Sequence, residues 1–204
     1  MVGGMADLAG TIIPLYERNA QGWDAIRPRA LVERPWLDRF LALVPAGSRV
    51  LDLGCGCGEP IAAHLAGQGF AVTGVDSSAA MVALCRGRMP GQDWVVADMR
   101  GLRLGSRFAG ILAWDSFFHL SPDDQRGMFP VFRDHAAPGA ALMFTSGPRA
   151  GEAIGTMFGE PLYHASLDGA EYRALLRDNG FRVRGHVVED PACGGRTIWL
   201  AQAG

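Results

Sequence analysis

Residues 50–58 read Val-Leu-Asp-Leu-Gly-Cys-Gly-Cys-Gly, an apolar run ending in three alternating glycines just before a helical pattern that starts at Pro60. A run of this length fits a strand buried on both faces, and the glycines fit a tight turn into a helix N-terminus. Side chains forbid the backbone angles of such a turn, and a ligand can approach bare backbone closely. Nucleotide-like ligands sit on turns of this kind. A dinucleotide fingerprint has its third glycine three residues after the second, at position 59, which holds Glu59 here. Asp52 and Glu59 flank the turn with negative charge, so a cationic ligand group suits it better than a pyrophosphate.

The 204 residues most simply form one domain that buries roughly 70% of its unfolded surface. A chain 49% hydrophobic and 20% charged, with net charge -2, has the signature neither of disorder nor of a nucleic-acid footprint. No apolar run reaches membrane-spanning length and no leader pattern opens the chain, so a soluble, cytoplasmic protein with no membrane partner is expected. All 19 basic residues are arginine. Chemistry that needs an in-chain lysine is thereby excluded: pyridoxal Schiff bases, the Walker A lysine and the Tyr-x-x-x-Lys pair of short-chain dehydrogenases. The cysteines are Cys55, Cys57, Cys85 and Cys193. A C-x-C pair inside a glycine turn does not match the usual zinc spacings, so no metal site is expected. Cys85 shares a helical face with Met81 and Met89 and reads as a core residue; a reducing cytosol fits all four thiols.

Along the chain, residues 1–6 read as a loose end and Asp7 to Ile26 as a helix placing Tyr16, Trp23 and Arg27 on one face. Arg29 to Val44 reads as a second amphipathic helix. A helix through Ala66 stops at Gly67 to Gly69, and the strand Phe70 to Val75 ends in Asp76. An acid there can accept from both ribose hydroxyls of a nucleoside; its alternative role is an N-cap, which Ser77 or Ser78 could supply instead. Further strands are expected over Trp94 to Met99, Phe108 to Trp114 and Ala140 to Thr145. A capping signal at Ser121 opens a helix that Pro130 should kink or shorten. Residues 147–167 lack a period and read as a lid or insertion. A helix capped by Asp168 and closed by Gly180 leads into an edge hairpin from Phe181 to Ala201.

Asp52-x-Gly54-x-Gly56-x-Gly58 after a hydrophobic strand resembles motif I of the class I S-adenosylmethionine-dependent methyltransferases. Val75 to Ser78 with Met81 resembles the family's second signature, and Asp115 to Leu120 its motif IV, which lies beneath the methyl group and faces the substrate. The resemblance covers about Leu51 to Leu200. It implies a doubly wound, Rossmann-like α/β fold: a mostly parallel seven-stranded sheet, an antiparallel C-terminal hairpin strand, and N-terminal helices (1–46) over the cofactor. It implies S-adenosyl-L-methionine as cofactor and S-adenosyl-L-homocysteine as product. The cofactor contacts it implies are Tyr16, Trp23, Asp52, Gly54, Cys55, Gly56, Gly58, Asp76, Ser77, Met81, Asp98, Met99, Trp114 and Asp115. Asp98 would accept from the adenine amino group, or else it is a surface turn residue.

The acceptor side is less defined. The Asn/Asp-Pro-Pro-Tyr motif of nucleic-acid base methylation is absent, since Ser116-Phe117-Phe118 follows Asp115, and a small-molecule acceptor is favoured over nucleic acid. His119, Tyr163 and His164 are the candidate catalytic residues. A histidine base would be required neutral, with a pKa near 6.5. Equally, His119 could cap a turn and His164 could lie exposed on a loop. A non-catalytic S-adenosylmethionine sensor or assembly module is the second reading, and a nicotinamide oxidoreductase a weaker third. The pattern sets no oligomeric state.

Overall fold

The computed structural model describes residues 8–204. The expected loose end at 1–6 and helix start at Asp7 lie outside them. Helix α1 (Ile12–Ile26) ends where Arg27 precedes Pro28, a position that disfavours helical backbone. Helix α2 (Arg34–Leu41) is shorter than the expected Arg29 to Val44 because Pro35 sits in its first turn and starts it late. Then come β1 (Arg49–Leu53), α3 (Ile61–Gly67), β2 (Ala71–Asp76), α4 (Ala79–Arg88), β3 (Asp93–Val96) and β4 (Phe108–Ala113). After a short turn at Phe117–His119 follow α5 (Pro122–His135), β5 (Ala136–Ser146), β6 (Gly151–Met157), β7 (Glu160–Ser166), α6 (Gly169–Asp178), β8 (Phe181–Asp190) and β9 (Arg196–Ala203).

Seven strands form one sheet in the order β3-β2-β1-β4-β5-β9-β8. β1 to β5 pair in parallel, and β9 runs antiparallel to both of its neighbours. Helices cover both faces. One core joins Leu51, Leu53, Ile111, Leu142 and Phe144 to α5 and α6 through Phe129, Phe132 and Tyr172. The other joins Val50, Val72 and Leu112 to α2, α3 and α4 through Trp36, Phe40, Ile61 and Val82. Strand order reverses beside β1, so the carboxyl ends of β1 and β4 open onto the crevice where such sheets bind ligands.

Two expectations are corrected in whole or in part. α5 continues for 14 residues through Pro130, which therefore does not shorten it. The buried flanking residues Met128, Phe129, Val131 and Phe132 hold both halves against the sheet. The segment read as irregular is an antiparallel hairpin, β6–β7, with a two-stranded sheet of its own. Its Phe158 ring lies 3.1 Å from where a Cβ would stand on Gly22 of α1, and Glu160 bonds to Arg18 and Asn19.

Candidate functional site

β1 delivers the chain into the glycine turn, and the packing there explains the spacing. Gly54 has φ +72°, and a Cβ on it would lie 2.3 Å from the Ser116 Cβ. That approach lets the Ser116 hydroxyl donate to the Leu53 carbonyl at 2.7 Å, tying the ends of β1 and β4 together. Gly56, at φ +53°, lines a cavity, and a Cβ there would meet nothing within 4 Å. Its N–H donates to Asp76 Oδ2 at 2.8 Å, while Ser78 N–H donates to Oδ1 at 2.9 Å. Ser78, not Asp76, caps α4, its hydroxyl accepting from Met81 N–H. Burial nonetheless raises the Asp76 pKa above its ordinary value.

The structure brings all of the sequence-assigned cofactor residues to one cavity of about 130 Å³. The end of β1 supplies Asp52 and the turn Gly54, Cys55, Gly56 and Gly58; the end of β2 and the start of α4 supply Asp76, Ser77 and Met81. Asp98 and Met99 follow β3, Trp114 and Asp115 follow β4, and α1 closes the cavity with Tyr16 and Trp23. Asp98 already accepts from Arg100 with both oxygens. Burial pulls its pKa up, but these bonds win and hold it below the usual carboxylate range.

Asp52 is the unusual charge here. It is 4% exposed, and burial together with the neighbouring Asp76 carboxylate lifts its pKa to about 7, with Arg27 opposing. A carboxylate lining a cavity at this cost is matched by a ligand that brings positive charge.

A second chamber of about 700 Å³ adjoins the first. Both are lined by Tyr16, Trp23, Arg27, Asp115 and His119, which therefore form the junction. His119 is 7% exposed, with Nε2 3.0 Å from the Tyr16 hydroxyl and Nδ1 2.7 Å from the Tyr163 carbonyl. Burial lowers its pKa to about 4; the Tyr163 carbonyl and Asp115 push it up, and His164 lowers it further. The expected titration near 6.5 is thus corrected: this imidazole stays neutral far into acid. Tyr16 is raised above its ordinary value by burial and by Asp115 and Asp76, so it stays protonated.

His164 lines the second chamber, its ring 4.8 Å from that of His119 and 5.2 Å from that of Phe118. Tyr163 is a correction. Its side chain is fully buried with Ile12 and Ala165, its hydroxyl has no partner among the described residues, and it lines neither chamber. Alternation along β7 turns residues 163 and 164 to opposite faces, leaving Tyr163 to act through its carbonyl.

Arg196 is the residue that motif reasoning missed. It follows the turn Gly194-Gly195 and grips Asp115 through Nε at 2.9 Å and Nη2 at 2.8 Å, while Nη1 donates to the Cys193 carbonyl. Asp115 sits at φ +49°, a strained setting for a non-glycine residue, and its N–H donates to Thr145 Oγ1. Arg27 stands 3.6 Å from Asp115 and 3.7 Å from the buried Glu33. No local pattern marks Arg196, because 81 residues separate it from Asp115.

The glycine turn, the acid closing β2 and the strand reversal define a doubly wound domain with a cavity at its topological switch point. A family profile described as "Methyltransferase domain" matches residues 50–139. A dTDP-3-amino-3,6-dideoxy-alpha-D-glucopyranose N,N-dimethyltransferase from Streptomyces fradiae is 33% identical over 120 residues, covering 58% of this chain and 46% of that protein. The chain spans less than half the length of the curated relatives it matches. Two solved structures share the fold at 20% identity. One is a 1,6-didemethyltoxoflavin-N1-methyltransferase from Burkholderia thailandensis, with bound 1,6-didemethyltoxoflavin and S-adenosylhomocysteine (TM-score 0.76; 100% of this chain, 92% of that one). The other is an S-adenosylmethionine-bound amino pentose methyltransferase from Micromonospora echinaspora (TM-score 0.70; 93% and 97%). Residues 50–139 thus match a methyltransferase-domain profile, on a fold that the chain shares with these solved methyltransferases.

Proposed function

We propose that this protein transfers the methyl group of S-adenosylmethionine to a small-molecule acceptor and releases S-adenosylhomocysteine. The observation that carries this reading is the junction: a cavity holding a buried carboxylate opens past Tyr16, His119 and Asp115 into a larger chamber. The donor set fits the cofactor. Asp52 answers positive charge, Asp76 is placed for ribose hydroxyls, and the bare Gly56 admits close approach. When bound, the cofactor supplies an electrophilic methyl on a sulfonium. The chain's own task is alignment and exclusion of water, which can account for a large share of the barrier. Glu17 of α1 does part of this, accepting from the Ser78 hydroxyl at 2.6 Å and Ala80 N–H at 3.1 Å, so that α1 closes over the turn.

In this reading the chain is one domain, with α1 and α2 as cap and β6–β7 as the acceptor-side lid. The net charge of -2 supports a small molecule over nucleic acid. The cysteines, free among the described residues, support a reducing cytoplasm. No helix among those residues is long and apolar enough to cross a membrane.

Calorimetry tests the proposal. S-adenosylmethionine and S-adenosylhomocysteine should bind with NAD and ATP much weaker, and Asp76→Ala should weaken binding by about 1.5–3 kcal/mol, the range for hydrogen bonds to a charged group. Tight NAD binding without an S-adenosylmethionine response overturns it. Release of S-adenosylhomocysteine with an acceptor panel separates the enzyme from a sensor.

A further inference from the structure

The hydrogen-bond chain at the junction has a direction, and its far end fixes it. The Tyr163 carbonyl can only accept, so at 2.7 Å it takes the Nδ1 proton of His119. The ring is buried, and among the described residues no carboxylate is hydrogen-bonded to it, so it is neutral and Nε2 carries a lone pair. At 3.0 Å the Tyr16 hydroxyl must therefore donate to Nε2. Its one proton is committed, and the Tyr16 oxygen offers only lone pairs to the junction it lines.

Resting on the methyltransferase reading, we propose that Tyr16 determines acceptor specificity, selecting a group with a hydrogen on its nucleophilic atom, an uncharged primary or secondary amine or a hydroxyl. Such an acceptor donates to Tyr16 and turns its own lone pair elsewhere. A tertiary amine has nothing to donate, and a carboxylate would set lone pairs against lone pairs. For an amine, the nitrogen lone pair forms the new C–N bond while the S–C pair withdraws onto sulfur; the resulting ammonium loses its proton to water after release. For a hydroxyl, the proton passes to Tyr16 as the proton of Tyr16 passes to His119 Nε2, and thence to solvent. His119 is a positioning residue in the first case and a transient proton holder in the second.

The test uses the full chain loaded with S-adenosylhomocysteine. In protein labelled with ¹⁵N-histidine, the signals absent from His119→Gln should show a protonated Nδ1 and an unprotonated Nε2 at neutral pH. Aniline should bind about fivefold tighter than N,N-dimethylaniline, the worth of one neutral hydrogen bond. Tyr16→Phe should erase that preference. His119→Gln, whose amide can accept from Tyr16 and donate to the Tyr163 carbonyl, should keep it, and His119→Leu should lose it. A protonated Nε2 overturns the proposal; so does equal binding of the two anilines, or no binding of aniline. Failure of the parent protein to bind S-adenosylhomocysteine instead sinks the methyltransferase reading, and the tautomer measurement still stands apart from it.

Discussion

With a native pKa of about 7 against about 3.9 in the unfolded chain, Asp52 makes the folded protein bind more protons between those values. Stability must then fall as pH rises through that window and stay lowered above it. Asp52→Asn should therefore melt higher than the parent at pH 8, by an amount on the order of 2–4 kcal/mol, since each unit is worth about 1.4 kcal/mol. The gap should close toward pH 4, and the variant should bind S-adenosylmethionine more weakly. Thermal melts at the two pH values with calorimetry check both halves; a variant less stable at pH 8 would be wrong in sign. His119 behaves in the opposite sense. Lowered to about 4 by burial, with His164 and Asp115 beside it, it stays neutral across the working range. Turnover should show no acid limb from His119 near 6.5, and a limb removed by His119→Gln should lie near pH 4. The glycines, Asp52 and Asp76 were legible because one turn writes its demands into adjacent positions. Arg196 was not, because its partner lies across the sheet. Tyr163 was misassigned because, without recognised strands, no alternation decided which of residues 163 and 164 faces the chamber.

At the scale of elements, α1 is held mostly by polar clasps. Ile12, Leu15 and Ala20 are its buried residues. Its other anchors are Glu17 on the start of α4, Asp24 on Arg29 and Arg88, Arg18 on Glu160, and Tyr16 on His119. A helix held this way can lift without unfolding the sheet. Glu17 is exposed, so water screens its bonds, and Glu17→Ala should weaken S-adenosylhomocysteine binding by only about two- to fivefold with the melt unchanged. Titration calorimetry reads this directly, and an unchanged affinity would remove Glu17 from the closure. The helical period of α1 and its aromatic face were legible; its clasps, made with partners far along the chain, were not. In α5 Pro130 does not shorten the helix because a proline costs about 3 kcal/mol while each flanking aromatic returns about 1.5–3 on burial. Pro130 is itself exposed, so Pro130→Ala should stabilise the protein by about 1–2 kcal/mol in denaturant unfolding.

At the scale of the whole molecule, the two chambers rest on different parts of the architecture. The first cavity, proposed for the cofactor, is built on the ends of β1, β2, β3 and β4, inside the seven-stranded sheet. Much of the second chamber, proposed for the acceptor, comes from the β6–β7 hairpin and the turn before β9, and the hairpin is not hydrogen-bonded into that sheet. The doubly wound, mostly parallel sheet with its antiparallel C-terminal strand was legible through the family resemblance, which the alternation of strands and helices fits. The hairpin was not, because its face toward solvent and its face toward α1 carry no common period. This division predicts separable losses. Replacing residues 151–166 by a short Gly-Ser linker should leave a cooperative melt at lower temperature, since Tyr163 no longer covers Ile12 and the Ala165 carbonyl no longer accepts from Gln125. S-adenosylhomocysteine should still bind, within about tenfold of the parent, because the hairpin's links to that cavity are indirect, through an exposed ion pair on α1 that water screens and through one hydrogen bond to His119. Binding of aniline should vanish, as the chamber loses a wall and His119 its orienting carbonyl. Circular dichroism melts and two titrations on one sample measure all three. If cofactor affinity fell together with acceptor binding, the hairpin would be part of the cofactor site rather than a wall for the acceptor.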